Sequence, residues 1–560
     1  MNRKIFPNLL KAGLLLLSAI AVIKMIFFGL DIDEEYAVVM SYRMLTEDSL
    51  LLEMWEPHQT SGFVCAFFIK IYLLLFGSAE YLVIYLRMVG VGIQALVSWF
   101  LYRTIRKYYA KEVAFWAALM SFTLLPKWVQ IPEFTNILLW SNLCVMSCLL
   151  RFAKEEKRKC VWLVVAAVFF CFMILAYPSC ILITPVYLWG IVRQSNTNKT
   201  RNLLCFLGTC AIIGCAYIGF FLTHMSVEQL LHGIRQMSTD GKHAATLAEK
   251  IFGYGLELWE RFPLVLGVIV VAGILWAGMH FVAPLKAVAH TKGSFVLLTI
   301  LVAHVHQFLV WLNKPVLFNE PLVFFFFAFV LGILFLRKNS PLVIFGVIPS
   351  IAVLLAVLIV TNTTISVSGS NLLPGILAGA ILLWEQDGKQ NETKLYRYAL
   401  RFTGIVMLGL LLFAKGYLLR ESGGYLEDIF YTKQKALSGP AKNIYCRYVD
   451  GYEYNELAEL IGDYVTREDT VLYVGSHNLR YLLTEASIST YSTISTPTYD
   501  ERLLEYWEEY PWKYPTIVIM EVGAGHQTAI QELLNPGELL AETGDLQIYK
   551  VIPRGKKNQN

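Results

Sequence analysis

Residues 31–62 read DIDEEYAVVMSYRMLTEDSLLLEMWEPHQTSG, with eight carboxylates, one histidine and one arginine, in a chain of which only 16% of residues are charged. An apolar run from about residue 9 to residue 29 precedes them, so Asp33-Glu34-Glu35 stands where the chain leaves hydrocarbon. A carboxylate beside a membrane interior is costly unless it has water, a partner or a task. The stretch is therefore either a solvated connector between two spans or the working loop of a membrane protein. The rest of the chain decides between them.

The composition excludes an ordinary soluble globule. Of 560 residues 56% are hydrophobic, the mean hydropathy is +0.52, and soluble domains run at roughly 45–50% apolar. A net charge of +4 is too small to argue for a nucleic-acid partner. Of ten cysteines, eight lie in or beside apolar runs and read as small hydrophobes, so neither a disulfide framework nor a metal-binding spacing is indicated. Runs near the roughly 20 residues needed to cross hydrocarbon fall at about 9–29, 81–102, 112–128, 135–151, 160–176, 179–193, 202–222, 262–282, 293–312, 318–336, 341–361, 370–385 and 397–418. They predict about thirteen helices, because an open sheet leaves backbone groups unsatisfied in lipid.

Arg3, Lys4 and Lys11 precede the first run, which reads as an uncleaved signal-anchor. With the N-terminus cytoplasmic, the basic loops 102–111, 151–159, 193–201, 286–292 and 389–401 all fall inside. The acidic loop, residues 129–134, 223–261 and 313–317 and everything after residue 417 then fall outside. Counting Phe63–Phe76 as a span would reverse that agreement, so the sequence predicts an interfacial helix there. From about residue 425 the composition becomes that of a soluble domain. Strands at 471–475, 516–520 and 546–551 alternate with helices at 453–465, 502–509 and 528–534, a small α/β layer. The predicted protein is an α-helical polytopic membrane protein of the plasma membrane. A transmembrane domain spans residues 1–422, with its first external loop at 31–80, and an extracytoplasmic α/β domain spans 423–560.

This order of parts resembles the GT-C membrane glycosyltransferases, in the branch of protein O-mannosyltransferases and aminoarabinose transferases. Asp33-Glu34 followed by Tyr36-Ala37 is similar to that branch's D-E-x-x-Y-A motif, one residue short between Glu and Tyr. Phe76-Gly77-Ser78-Ala79-Glu80 with Arg87 is similar to its lead into the second span. The resemblance implies transfer of a sugar, usually with inversion, from a polyprenyl-phosphate-linked donor in the membrane lipid to a glycan, lipid or protein acceptor on the outer side.

The chemistry gives residues their roles. Attack by an acceptor hydroxyl on an anomeric carbon needs a base, and Asp33 is the expected one. Glu34 or Glu133 is expected to stabilise an oxocarbenium-like transition state or to hold a divalent cation together with Asp33; either is alternatively solvated or ion-paired. A lipid-phosphate leaving group needs fixed cations. Arg87, about two turns into the second span, is expected either to contact phosphate or to anchor the acidic loop. Arg235 and Lys242 in the long outer loop and Lys314 in the WLNKP turn are further phosphate candidates. Tyr36, Glu56 and His58 are expected beside the substrate cleft, with His58 alternatively a hydrogen-bonding spacer.

Two other readings compete. A transporter or flippase of lipid-linked sugars would place charge near the midplane and show two related halves, whereas here the charge gathers at one boundary. A non-enzymatic assembly protein would tolerate neutral residues at positions 33 and 34.

Overall fold

The computed structural model describes residues 5–46, 48–124, 129–238, 245–289, 340–361, 363–365, 367–387, 433–475, 477–494, 499–522, 528–534 and 537–551, with short pieces between 294 and 305 and between 401 and 412. In chain order the first helices are α1 (Ile5–Phe27), α2 (Ile32–Thr46), α3 (Gln59–Phe76), α4 (Leu82–Tyr108), α5 (Lys111–Thr123), α6 (Phe134–Lys154), α7 (Lys159–Ala176), α8 (Thr184–Gln194), α9 (Lys199–Leu222), α10 (Val227–Ser238), α11 (Leu247–Met279) and α12 (Ala283–Ala289). Helices Ile348–Val360 and Leu373–Asp387 follow.

Eight helical segments among the described residues are long and apolar enough to cross a membrane: α1, α3, α4, α6, α7, α9, Val343–Val360 and Val367–Glu385. The polytopic helical body is therefore as expected. The apolar run at 112–128 yields only the 13 residues of α5, about 20 Å of helix and short of a bilayer core of about 30 Å. Within α11 the apolar portion is Leu266–Met279. The runs at 293–312, 318–336 and 397–418 fall largely outside the described residues. α3, expected to lie at the interface, has the length and composition of a span and exposes Phe67, Leu74, Leu75 and Phe76. The parity of basic loops and the length of α3 thus pull in opposite directions.

α6 is the central helix, buried along nearly its whole length. α4 meets the loop entering α6 closely at Gly90, where a Cβ would fall 1.6 Å from the Gln130 carbonyl oxygen. Only a glycine permits that approach.

The C-terminal region is a small α/β layer. A hairpin pairs β1 (Lys433–Lys435) with β2 (Tyr445–Arg447). A five-stranded sheet runs in the order β4-β3-β5-β7-β6, from β3 (Thr470–Val474), β4 (Ser487–Ile488), β5 (Ile517–Glu521), β6 (Glu538–Glu542) and β7 (Leu546–Lys550). β3 pairs in parallel with β4 and β5, while β5–β7 and β7–β6 are antiparallel. β3, β5 and β7 match the expected strands. The short β1, β2 and β4 and the largely exposed β6 were not anticipated, because none has the buried apolar run that marks a strand.

This layer is fused to the membrane-side helices. Gly29, at φ 74°, turns the chain after α1, and its N–H donates to the Tyr445 carbonyl at 2.9 Å. Lys442 pairs with Glu80 at 3.0 Å. Trp55, from the loop between α2 and α3, is wholly buried in the sheet's second core among Leu472, Leu503, Trp507 and Val518.

Candidate active site

α2 begins with three successive acids in its first turn, where carboxylates complement the positive end of the helix dipole. Successive helix residues point about 100° apart, so the three carboxylates reach three different partners. Glu34 is buried against Arg87, its two oxygens taking Nε at 2.8 Å and Nη2 at 2.5 Å. Arg87 also donates from Nη1 to the carbonyls of Met25 and Ile26 and from Nη2 to that of Gly29. All five of its N–H groups are thereby engaged. The structure thus places Arg87 as the clamp that fixes the bend from α1 into α2, with Glu34 as its counter-ion.

Glu35 faces the other way. Its carboxylate accepts the Leu479 N–H at 3.0 Å and lies 3.3 Å from His477 Nδ1, both in the turn after β3. Burial works to lower the His477 pKa, but the hydrogen bond and charge of Glu35 outweigh it and raise it above the ordinary value.

Asp33, half-buried, lines a cavity of about 140 Å³ together with Tyr36, Pro57 and His58. Tyr177, Thr361, Thr363, Ser368, Ser370 and Asn371 also line it, with Phe134 and Thr135 at the start of α6. Tyr36 donates its hydroxyl to the Pro57 carbonyl. His58 has φ 63°, a conformation that costs a non-glycine residue energy and persists only where neighbours enforce it. Here its ring stacks on Phe134 with centroids 4.0 Å apart and planes 7° apart. Burial first, then the charges of Glu133 and Asp33, push the Tyr177 phenol well above its ordinary pKa. The cavity therefore holds a half-buried carboxylate together with hydroxyl and amide groups able to bind a polyhydroxylated ligand.

The remaining expected residues lie around this cavity or away from it. Glu133 caps α6, accepting the Thr135 and Asn136 N–H groups at 2.8 Å each. Glu56 is wholly buried behind His58, accepting from Arg43 Nη1 at 3.2 Å and from the Thr493 N–H at 2.8 Å. Arg235 is exposed on α10, a helix held to the C-terminal layer by His232–Glu509 at 3.1 Å and Gln236–Glu505 at 2.6 Å. Lys242 and Lys314 lie outside the described residues.

Glu34 is bound to Arg87 and Glu133 to backbone amides, and among the described residues no group of three or more His, Cys, Asp or Glu could hold a metal ion. Sequence reasoning passed over Tyr177 and the hydroxyl-bearing residues of 361–371. The signal for the latter is the density of Thr and Ser in TNTTISVSGS at 361–370, between two apolar runs.

Residues 60–218 match the family model described as dolichyl-phosphate-mannose-protein mannosyltransferase. The matched stretch runs from the start of α3 into α9, so the Asp33-Glu34 motif lies just before it. Similar solved structures include the oligosaccharyltransferase of Archaeoglobus fulgidus in complex with zinc and sulfate, at 12% identity and a TM-score of 0.45, covering 91% of this chain and 68% of that one. Another is ArnT of Cupriavidus metallidurans bound to undecaprenyl phosphate, at 13% identity and a TM-score of 0.42, covering 98% of each chain. Both likenesses are distant. No curated protein matches the sequence. From α3 into α9 the chain is similar to the dolichyl-phosphate-mannose-protein mannosyltransferase family, in keeping with the resemblance read from its motifs.

Proposed function

We propose that the protein is a membrane glycosyltransferase that moves a sugar from a polyprenyl-phosphate donor to an acceptor hydroxyl, with Asp33 as general base. The observation that carries the reading is the position of Asp33 on the wall of the cavity it shares with Tyr36, His58, Thr361, Thr363, Ser368 and Ser370. The mannosyltransferase match over 60–218 supports the reaction class. In the step, the Asp33 carboxylate takes the proton of the acceptor hydroxyl as that oxygen bonds to the anomeric carbon. The bond from that carbon to the phosphate oxygen breaks, its electron pair leaves with the lipid phosphate, and attack from the opposite face inverts the configuration. Glu34 serves this step indirectly, because its pairing with Arg87 fixes the turn of helix that carries Asp33. His58 and Tyr36 shape the cleft.

The basic loops support a cytoplasmic N-terminus and an extracytoplasmic C-terminal layer, residues 423–560, in the plasma membrane. Accessibility of single introduced cysteines to an impermeant reagent tests that orientation. The test of the reaction is transfer of labelled sugar by membranes containing wild type or Asp33→Asn at equal protein level. The expected loss is about a hundred- to ten-thousand-fold, the usual worth of a general base. Undiminished transfer by Asp33→Asn would remove Asp33 from the mechanism.

A further inference from the structure

A second cavity, of about 350 Å³, opens at the other end of α2, in the seam between that helix and the edge strand β4. Its volume falls in the range of roughly 300–1,000 Å³ typical of small-molecule sites. Arg43, Asp48 and Lys513 line it with side chains only 1%, 3% and 5% exposed. Arg43 Nε donates to Asp48 Oδ2 at 2.6 Å, and Lys513 Nζ lies 2.5 Å from Asp48 Oδ1. Tyr42 and Tyr481 contribute ring surface, Thr484 and Ser487 contribute hydroxyls, and Arg467 and Glu485 stand exposed at the rim.

We propose that this seam cavity binds a neutral, hydroxyl-rich saccharide unit. The charges decide the class of ligand. Arg43 is paired with Asp48 and Glu56, and Lys513 with Asp48. At the buried wall a phosphate or carboxylate would have to pull a cation from a buried partner, which costs several kcal/mol, and the other cation of the lining, Arg467, is exposed and screened by solvent. A sugar hydroxyl is both donor and acceptor, so it adds hydrogen bonds to such pairs without separating them. An acyl chain is excluded because it would strip water from buried charges and return nothing.

The position gives the site a use. Tyr36, in the Asp33 cavity, and Arg43, in the seam, are seven residues apart and so share one face of α2, about 10 Å apart by helix rise. Arg43 also touches Glu56, next to Pro57-His58 of the first cavity. A saccharide held in the seam is thus positioned as the remote part of an extended acceptor. That use rests on the transfer reading above, whereas the binding itself does not.

The test uses the full chain in detergent, with glucose, galactose, mannose and N-acetylglucosamine as separate probes in saturation-transfer NMR. Wild type and Asp33→Asn should both transfer saturation to at least one sugar, and inorganic phosphate should not compete. Ala486→Trp, which fills the cavity from its half-buried wall, should cut the signal well below that of wild type while thermal unfolding stays that of wild type. Arg467→Ala at the exposed rim provides a second variant, with weakened binding expected. Binding of no probe, binding unchanged in both variants, or displacement by phosphate would overturn the proposal. Should Asp33→Asn bind sugar and also keep full transfer activity, the base assignment fails and the saccharide site stands.

Discussion

The two ends of α2 treat charge in opposite ways. At its N-terminal end one carboxylate, Asp33, is left half-buried on a cavity wall of hydroxyl groups. At its C-terminal end Arg43, Asp48, Glu56 and Lys513 are closed into a buried network, extended by Arg43 Nη2 to the Thr490 carbonyl at 2.8 Å. The first arrangement sets an acid on the wall of a cavity. The second locks the α2–α3 loop onto the C-terminal layer, with Trp55 seated in that layer's core. Between them, Arg87–Glu34 and His477–Glu35 fix the helix along its first turn. Rigid support around a cavity-lining group is what positioning a reactive residue requires.

The comparison breaks most sharply if Asp33→Asn leaves transfer intact while the protein folds normally; the expectation is a large loss of activity with little change in thermal unfolding. At the network end the expectation is reversed. Arg43→Ala leaves Asp48 and Glu56 buried without their cation and should destabilise by about 3–5 kcal/mol, read as a lower unfolding temperature in detergent and more protease cleavage between α2 and α3. Arg87→Lys keeps the charge but loses the fork that holds two carboxylate oxygens and three carbonyls. It should lower transfer without abolishing it, and an unchanged rate would remove the clamp from the account of Asp33.

Smaller still is the effect of Glu56→Gln. Burial raises the Glu56 pKa, against the pull of Arg43 and Thr493, and the amide oxygen retains an acceptor for the Thr493 N–H. The cost should be about 1 kcal/mol, that of one hydrogen bond, well below that of Arg43→Ala in the same unfolding assay.

The smallest expected effect is a pH dependence. His477 faces Glu35, with Arg480 opposing its protonation and Glu521 favouring it, and its pKa is raised in the folded protein. The stabilisation it contributes is complete below its unfolded value of about 6.5 and is lost as pH rises through the folded value. Wild type should therefore lose unfolding temperature relative to His477→Gln as pH climbs from below 6.5. Parallel pH profiles would show that the Glu35–His477 contact contributes nothing.

Much of this protein was legible in order along the chain. Apolar runs placed α1, α4, α6, α7 and α9, and VLYVG, TIVIM and the run after Leu546 placed β3, β5 and β7, because a helix or a buried strand writes its period into consecutive residues. The acidic loop and its Asp-Glu motif also stood out, since charge next to hydrocarbon is visible without any fold. What the sequence did not supply was the partner of Glu34 and of Glu35. That depends on the rotation of α2 against Arg87, 53 residues away from Glu34, and against His477, 442 residues away from Glu35. It also left open that Glu133 would cap a helix, that Trp55 would complete a core formed after residue 470, and that Thr361, Thr363, Ser368, Ser370 and Asn371 would line the same cavity as Asp33. Local periodicity determined the elements; the partner of each buried charge was decided only by packing, because a buried charge takes whichever opposite charge or amide the tertiary structure brings within about 3 Å.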